Sequence, residues 1–354
     1  MDTNDVELDM TQENKYQLLS LLKQYVELGI ASQIDFNKFY LYSIITHSTA
    51  IEGSTVTDVE AQLLFDEGLT SSKRTLAEQM MNIDLKTAYE YGREWIQKHS
   101  PITIDWLVLL ASKVMAHTGS EYNAIGGGFS AAKGELRLLN VTAGLGGKSY
   151  MSYQKIPAKL QSFCEELNRR RAAIDPMDIC AIYELSYWAH YELVTIHPWA
   201  DGNGRTSRLL MNLLQMEYGV LPTKVLKQDK ATYIQALIDT REQEDISIFI
   251  HCMHHLHCEH LQHDIASYEK DMVEGGQKSG QKIVKGGQKT KELILSYLAD
   301  HPTASRKELS EQIGIAQSAI QRHLKTLQVQ GLLFRIGPDK GGHWEVRNVD
   351  VNAN

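Results

Sequence analysis

One short string between two helical segments constrains this chain more than any other feature. It reads His-Pro-Trp-Ala-Asp-Gly-Asn-Gly-Arg-Thr-Ser-Arg over residues 197–208. Apolar residues recur at helical spacing on both sides, over residues 179–193 and 209–214. The proline and the two glycines predict that one helix ends and the next begins within the string. The sequence therefore predicts a helix–loop–helix unit whose polar side chains gather at the loop.

The residue types in this loop point to phosphate-ester chemistry on a nucleotide. His197, next to a proline at a helix end, is placed to act as a general base. Asp201 offers a carboxylate to a hard cation. The glycines beside Asn203 let backbone N–H groups approach an anion at the start of the next helix. Arg205 and Arg208 lie three residues apart on that helix and supply forked donors for phosphates.

The string resembles the motif of the Fic family, His-x-Phe-x-(Asp/Glu)-Gly-Asn-Gly-Arg-x-x-Arg. Every defined position agrees except Trp199, which replaces phenylalanine and should affect packing rather than chemistry. The resemblance covers residues 89–260 and implies a mainly α fold, a Fic-type helical bundle with a small β-hairpin flap. It also implies an enzyme, a protein adenylyltransferase (AMPylator). Such a nucleotidyltransferase transfers AMP from ATP to a Ser, Thr or Tyr hydroxyl of a target protein.

The resemblance also implies a role for each position of the motif. His197 would take the proton of the attacking hydroxyl. Asp201 would hold the Mg²⁺ that bridges the nucleotide phosphates. The other positions would bind ATP, with the phosphates cradled by Gly202, Asn203 (through its side chain as well) and Gly204, the β-phosphate bound by Arg205 and the γ-phosphate by Arg208.

Two further segments take roles from the same resemblance. Residues 148–153 match the family's flap, a hairpin that docks the target segment by strand addition. Lys148, Tyr150 and Tyr153 are the candidate docking residues, and core packing is the alternative for the two tyrosines. Tyr233 lies where the family often contacts adenine.

A second motif lies far upstream. Residues 48–53 read Ser-Thr-Ala-Ile-Glu-Gly and resemble the family's inhibitory motif, (Ser/Thr)-x-x-x-Glu-(Gly/Asn). Apolar residues at helical spacing over 36–45 predict a helix, and Gly53 is suited to end it. Glu52 then lies at the helix C-terminus, where the dipole disfavours a carboxylate that lacks a cationic partner. In the family that partner is the second arginine of the motif, here Arg208.

A Glu52–Arg208 pair would deny ATP its γ-phosphate site, so the resemblance implies an autoinhibited enzyme. Ser48, one turn earlier, is expected to bond Glu52 or the region of Asn203. In some family members the same glutamate orients a water that removes AMP. De-AMPylation by the same site therefore stays open.

The chain divides into four predicted parts. They are an N-terminal helical region with the inhibitory helix (1–98), a Fic catalytic core (99–270), a flexible Gly/Gln/Lys-rich linker (271–289) and a winged helix-turn-helix domain (290–347). In the last part we predict helices at 292–299, 305–313 and 316–328 and strands at 332–335 and 343–346. Ser305 and Glu308 form a capping-box pair at the second of these helices.

Charge separates the C-terminal part from the rest. Residues 276–347 contain 8 Lys and 4 Arg against 6 acidic residues, a net charge of +6, and the other residues carry −14 of the total of −8. Candidate DNA contacts on the third predicted helix are Gln317, Gln321, Arg322 and Lys325. Two alternatives stay open: a DNA-binding transcriptional regulator whose Fic core senses nucleotide, and a winged helix used for protein contacts or dimerisation.

Location and metal content complete the sequence-based predictions. Four cysteines are too few for a disulfide framework, the acidic N-terminus does not resemble a signal peptide, and the longest apolar stretch is too short to cross a bilayer. We expect a cytoplasmic protein that does not enter the membrane and that plausibly forms a homodimer. A His/Cys-rich helix, residues 251–260, presents His251, His255 and Cys258 on one face, and whether it binds zinc stays open.

Overall fold

A computed structural model of the chain describes residues 12–142, 148–278, 286–313, 320–321, 323–324, 327–328, 332–336 and 342–346. Two compact units are present. The first comprises Met1–Leu28 and Asp35–Ala266, and the second comprises Gly29–Ile34 and Ser267–Asn354. The motif and its predicted partners all lie in the first unit.

Helices dominate the described residues. They are α1 (Gln12–Glu27), α2 (Phe36–Ile51), α3 (Asp58–Glu67), α4 (Leu76–Ile96), α5 (Ile104–Val114), α6 (Ile156–Ala173), α7 (Ile179–Ile196), α8 (Asn203–Glu217), α9 (Lys230–Gln243), α10 (Ile246–Lys278), α11 (Gly286–Asp300) and α12 (Arg306–Ile313). Two antiparallel hairpins are formed by β1 (Glu121–Ala124) with β2 (Gly127–Ser130) and by β3 (Leu333–Ile336) with β4 (His343–Val346).

The core of the first unit forms where α4, α5, α7 and α8 pack together. Its largest fully buried side chains include Trp106, Trp199 and Tyr89. A Cβ atom at Gly92 of α4 would lie 2.4 Å from Leu213 of α8, so the absence of a side chain there lets the two helices approach closely. The Tyr89 hydroxyl donates to the Asn212 side chain at 2.6 Å in the same contact. This packing fixes α8, which carries most of the motif.

Two capping boxes fix the starts of α3 and α4, the two helices that follow α2. At α3 and at α4 the Thr57 and Thr75 side chains accept from the third helical residue, and the Glu60 and Glu78 carboxylates accept in return. Glu78 also accepts from the backbone N–H and the hydroxyl of Thr55, at 2.7 and 2.6 Å. The segment that follows α2 is thereby tied to the start of α4.

The second unit has its own apolar core. Buried residues from its helices and its hairpin form this core, among them Ile294, Leu298, Leu309, Ile320, Leu324, Leu327 and Leu333. The predicted Ser305–Glu308 capping box is confirmed by reciprocal bonds of 3.2 and 3.5 Å. The predicted strands are confirmed to within one residue, with Leu333 opposite Val346.

Helices extend into the predicted linker. Residues 271–278 continue α10 and residues 286–289 begin α11, while residues 279–285 lie outside the described part of the chain. Glutamine, lysine and glutamate are good helix formers, so their composition is as compatible with a helix as with a connector. Within the described ranges, no helix combines the length and apolar character that a membrane crossing needs.

Candidate active site

His197 is the C-cap residue of α7 and adopts a left-handed backbone conformation, with φ of 52°. Its Nδ1 lies 3.2 Å from the carbonyl oxygen of Val194. Because a carbonyl only accepts, Nδ1 carries the proton and Nε2 keeps its lone pair. Burial lowers the pKa of His197 to about 4 against the opposing effect of the Val194 bond. The imidazole is therefore neutral at neutral pH and able to accept a proton.

Helix α8 begins with the glycines of the motif. Gly202 is the N-cap residue at φ 81°, and a Cβ atom there would lie 2.6 Å from Met115 Sδ. A Cβ atom at Gly204 would lie 2.7 Å from a carboxylate oxygen of Glu52. The first N–H groups of α8 have no partner within the helix, so they are available as donors to an anion at this end.

The Asn203 side chain bonds the loop that contains it. Its amide donates to Trp199 O at 2.9 Å and accepts from Trp199 N at 3.1 Å. This pair of bonds closes the loop between α7 and α8 instead of reaching toward a ligand. Trp199 itself is buried, and its indole donates to Gly134 O at 2.9 Å. The tryptophan thus acts through packing, as predicted.

Arg205 and Asp201 both have polar atoms that are available to a ligand. Arg205 is 2% exposed, yet among the described residues its Nε and Nη1 atoms have no hydrogen-bond partner. Its Nη2 lies 3.5 Å from Asp201 Oδ1, and about half of the Asp201 side chain is exposed. Buried donors without acceptors are costly unless a ligand supplies acceptors. The pair therefore fits an anion with a cation beside it.

Arg208 is buried and bound to the end of α2. Its Nη2 lies 2.6 Å from Glu52 Oε1, its Nε donates to Ser48 Oγ at 2.9 Å, and Nη2 also donates to Ser48 O at 3.0 Å. Ser48 therefore bonds Arg208, and the expectation that it bonds Glu52 or the Asn203 region is wrong. Burial alone would raise the pKa of Glu52, but the attraction and hydrogen bond of Arg208 help to lower it.

Tyr233 is fully buried on the other side of Arg208. Its hydroxyl accepts from Arg208 Nη1 at 3.4 Å and lies 2.9 Å from His190 Nε2. Burial lowers the pKa of His190 to about 3, so the imidazole is neutral and hydrogen-bonds the tyrosine hydroxyl through Nε2. The structure thus gives the hydroxyl a role in holding Arg208. A contact between Tyr233 and adenine stays a prediction.

One residue of the predicted flap, Tyr150, lies against His197. Thr142 pairs with Ser149 in an antiparallel bridge, and Tyr150 N donates to Val141 O at 3.0 Å, so both edges of a hairpin are present. The Tyr150 ring stacks on the His197 imidazole with centroids 3.8 Å apart. Lys148 is exposed and lies 3.4 Å from Glu242.

The other predicted sites have mixed outcomes. Tyr153 begins a short 3₁₀ turn at the base of the flap. Gln321 is exposed on a helical segment of the second unit, whereas Gln317, Arg322 and Lys325 lie outside the described residues. In the part of the chain that is described, no group of three or more His, Cys, Asp or Glu side chains is arranged to hold a metal. All four cysteines are free.

Comparison with known proteins defines the class of this fold. Residues 101–215 match the model of the Fic/DOC family, and residues 288–333 match that of winged helix-turn-helix DNA-binding domains. The resemblance noted from the motif is therefore confirmed: the first unit contains a Fic domain and the second a winged helix. The mainly α fold class is confirmed as well.

Individual relatives agree with these matches. The chain is 30% identical over 202 residues to a protein from Drosophila erecta named protein adenylyltransferase Fic, a match covering 54% of this chain and 36% of that protein. The relative of the same name from Drosophila melanogaster is 29% identical with the same coverage. This chain thus spans about a third of the length of these relatives.

Solved structures share the fold. A Fic domain-containing signaling protein from Bacteroides thetaiotaomicron superposes with a TM-score of 0.59 at 22% identity, over 73% of this chain and 97% of that one. A Fic family protein from Desulfovibrio desulfuricans gives 0.55 at 15% identity, over 96% of this chain and 97% of that one. Fic-1 from C. elegans gives 0.57 at 22% identity, over 73% of this chain and 74% of that one.

Proposed function

We propose that this chain is a protein adenylyltransferase that transfers AMP from ATP to a Ser, Thr or Tyr hydroxyl of a target protein. The observation that carries the proposal is the neutral His197, whose Nδ1 is bonded to Val194 O and whose Nε2 is left as a base. Nucleotide binding alone needs no general base. The names of the Drosophila relatives support the same reaction.

The reaction needs one proton transfer and one exchange of bonds at phosphorus. His197 Nε2 accepts the proton of the target hydroxyl as its oxygen bonds the α-phosphorus of ATP. The bond from the α-phosphorus to the oxygen bridging toward the β-phosphate breaks, and pyrophosphate leaves. The backbone N–H groups at the start of α8 and the unpartnered Arg205 donors stabilise the phosphate charge. His197 then returns the proton to solvent.

Asp201 is the residue that would hold Mg²⁺. Its half-exposed carboxylate lies beside the phosphate cradle, and a single carboxylate suits an ion that is otherwise held by water and substrate phosphates. When bound, the ion would neutralise part of the charge on the departing pyrophosphate. Arg205 Nη2, at 3.5 Å from the carboxylate, orients Asp201 toward the same side.

The resting enzyme is autoinhibited in this proposal. Arg208 would bind the γ-phosphate, and its guanidinium already meets Glu52 at 2.6 Å and Ser48 at 2.9 and 3.0 Å. A Cβ atom at Gly204 would clash with the Glu52 carboxylate at 2.7 Å, so that carboxylate lies directly over the start of α8. ATP and Glu52 therefore compete for the same cation and the same space.

Labelled ATP and Mg²⁺ test both halves of the proposal. Glu52→Gly should raise label incorporation at least about tenfold over the unaltered chain, since losing a charged competitor for Arg208 is worth 1.4 kcal/mol or more. Glu67→Gly is a matched control, because Glu67 also ends a helix and precedes a positive-φ glycine, Gly68, at 69°. Adding His197→Ala to Glu52→Gly should abolish labelling. Equal labelling of the unaltered chain and Glu52→Gly would contradict autoinhibition.

If Glu52→Gly labels nothing in a cell lysate although it binds ATP, adenylyl transfer itself is contradicted. Mass spectrometry of the labelled lysate identifies the target protein and its modified hydroxyl. Loss of AMP from a modified protein, in the unaltered chain only, would favour de-AMPylation with Glu52 as the water-orienting group.

A second function has its own support. The second unit matches winged helix-turn-helix DNA-binding domains and carries an excess of basic residues. We propose that it binds DNA, with Gln321 among the contacts. Binding that persists in His197→Ala would separate this function from catalysis, and binding should fall steeply with added salt because it releases counterions. If this unit binds only protein partners or only dimerises, and does not bind DNA, the proposal of DNA binding is contradicted.

A further inference from the structure

One buried cation lies beside the motif without being part of it. Arg137 is 1% exposed, and its guanidinium donates to three carbonyl oxygens. They are His197 O at 2.8 Å from Nε, Leu139 O at 2.6 Å from Nη1 and Met151 O at 2.6 Å from Nη2. Among the residues described, no carboxylate lies within ion-pair distance of it, and burial lowers its pKa. The charge is thus balanced by main-chain dipoles alone.

The three carbonyls belong to three different segments. His197 O comes from the end of α7, Leu139 O precedes the first edge of the flap, and Met151 O follows the second edge. The flap edges themselves are joined by the bond from Tyr150 N to Val141 O. One side chain therefore ties both ends of the flap to the residue that carries the candidate general base.

Main-chain contacts extend this connection. Arg137 N donates to Pro198 O at 3.0 Å, and the Trp199 indole donates to Gly134 O. The backbone of residues 134–137 thus runs along residues 197–199. His197 is held there in a left-handed conformation, which is unfavourable for a residue with a side chain and persists only where neighbours enforce it.

The chemistry of the side chain explains why an arginine is needed. Removing a guanidinium from water without a counter-ion is costly, so an apolar residue would fill this space more cheaply. The planar fork presents donors in several directions at once, whereas lysine is a single point charge. The three carbonyl oxygens, on three segments, accept from all three nitrogen atoms of the Arg137 guanidinium.

We propose that Arg137 is a positioning residue that fixes the flap relative to the His197 imidazole. The stacking of Tyr150 on His197 at 3.8 Å is one result of this registration. A target segment docked on the flap would then present its hydroxyl to His197 Nε2. The link between this placement and turnover rests on the proposed adenylyl transfer, whereas the structural connection does not.

Hydrogen–deuterium exchange tests the structural connection in the full chain. Arg137→Lys keeps the charge but cannot span the three carbonyls, and Arg137→Met removes the charge as well. Both should speed exchange at the Tyr150 amide and its neighbours at least about tenfold, as expected when about 1.4 kcal/mol of local restraint is lost.

Arg171→Lys is the matched control. Arg171 is another arginine whose side chain is largely covered, and it is bonded to Glu217 at 2.5 Å at the opposite end of α8 from the motif. Its substitution should leave the flap amides at the rate of the unaltered chain. Unchanged flap exchange in both Arg137 variants, or an equal increase in Arg171→Lys, would overturn the proposal.

Kinetics in the Glu52→Gly background test the consequence for turnover. Arg137→Lys should lower kcat at least about tenfold per folded molecule and leave the KM for ATP within about twofold, because the phosphate cradle is untouched. Full kcat with a fast-exchanging flap would overturn the positioning role while adenylyl transfer stands. If Glu52→Gly transfers nothing, the proposed function fails and the exchange rates still decide the structural connection.

Discussion

The carboxylate of Glu52 and the guanidinium of Arg208 meet at 2.6 Å at the C-terminal end of α2. The same guanidinium takes up Ser48 O, one of the last carbonyls of the helix, which have no partner within it. A cation at this end also opposes the negative pole of the helix. Arg208 therefore stabilises the C-terminal end of α2 as well as pairing with Glu52.

Weakening this ion pair should raise affinity for ATP. Glu52→Gln keeps a side chain of the same size but removes the charge that holds Arg208. We expect the Kd for ATP to fall about tenfold, which corresponds to 1.4 kcal/mol. Calorimetric titration in the His197→Ala background measures binding without turnover.

Glu67→Gln serves as the control for this titration, since it removes an exposed charge at a similar helix end and should leave the Kd unchanged. An unaltered Kd in Glu52→Gln would mean that Arg208 does not contribute to nucleotide binding.

The rate of transfer should be insensitive to pH across the neutral range. Because burial lowers the pKa of His197 to about 4, the base is neutral above that pH and becomes protonated below it. For Glu52→Gly, kcat/KM should be flat from about pH 5 to 8 and fall about tenfold per unit below about pH 4. The Glu52 carboxylate raises the pKa of His197, so removing it in Glu52→Gly does not move the acidic fall in kcat/KM to higher pH. A midpoint near 6.5 would contradict the buried, neutral imidazole.

Exposing the imidazole should move that midpoint. Tyr150→Ala removes the ring stacked on His197 and admits water, which favours the charged form of the imidazole. The acidic fall in kcat/KM should shift upward toward the ordinary histidine value. Tyr16→Ala, at a tyrosine that is 77% exposed, should leave the profile in place.

The hydroxyl of Tyr233 should matter for folding stability. Tyr233→Phe leaves His190 Nε2 and one donor of Arg208 without a partner in a buried site. An unsatisfied buried polar group costs about 1–3 kcal/mol, so the urea midpoint should fall accordingly. Tyr16→Phe is the control at an exposed position. Equal midpoints for Tyr233→Phe and the unaltered chain would show that the hydroxyl bonds contribute nothing net.

Two glycines with similar backbone conformations allow the cost of a left-handed backbone to be compared with the cost of a steric clash. Gly202 and Gly219 have φ of 81° and 70°, but only a side chain at Gly202 would meet a neighbour, Met115 Sδ at 2.6 Å. Gly219→Ala should cost about 1–2 kcal/mol for the left-handed conformation alone. Gly202→Ala should lower the free energy of unfolding by more than this, as measured by thermal and urea unfolding. Adding Met115→Ala to Gly202→Ala should recover part of the difference. An equal loss of folding free energy in Gly202→Ala and Gly219→Ala would show that the clash with Met115 does not contribute.

Local patterns in the sequence predicted the helix ends well. The Pro198 break, the start of α8 at Asn203 and the end of α2 before Gly53 all follow from residue types within a few positions. The contact of Glu52 with Arg208 spans 156 residues, and only the family resemblance indicated it.

Other parts of the site had no local signal. Arg137 lies 60 residues from His197, and nothing around it in the sequence marks it as buried or as a donor to three carbonyls. The bonds between the Asn203 side chain and Trp199 depend on the way the loop turns back on itself, which residue types alone do not indicate. His190 lies in the helix before the motif, whereas its partner Tyr233 lies on α9, and only tertiary packing brings the two together.

If Arg208 binds the γ-phosphate as proposed, the nucleotide and the C-terminal turn of α2 compete for one guanidinium, and the two interactions are thermodynamically linked. If ATP loosens the C-terminal turn of α2 by taking Arg208, then any protein that draws this turn away must tighten ATP binding by the same factor. Under the proposed function, a target or regulator could therefore raise the rate of transfer without touching the loop that carries the motif. Saturating ATP would in turn expose the end of α2 to such a partner, so cellular ATP would set how readily the switch responds.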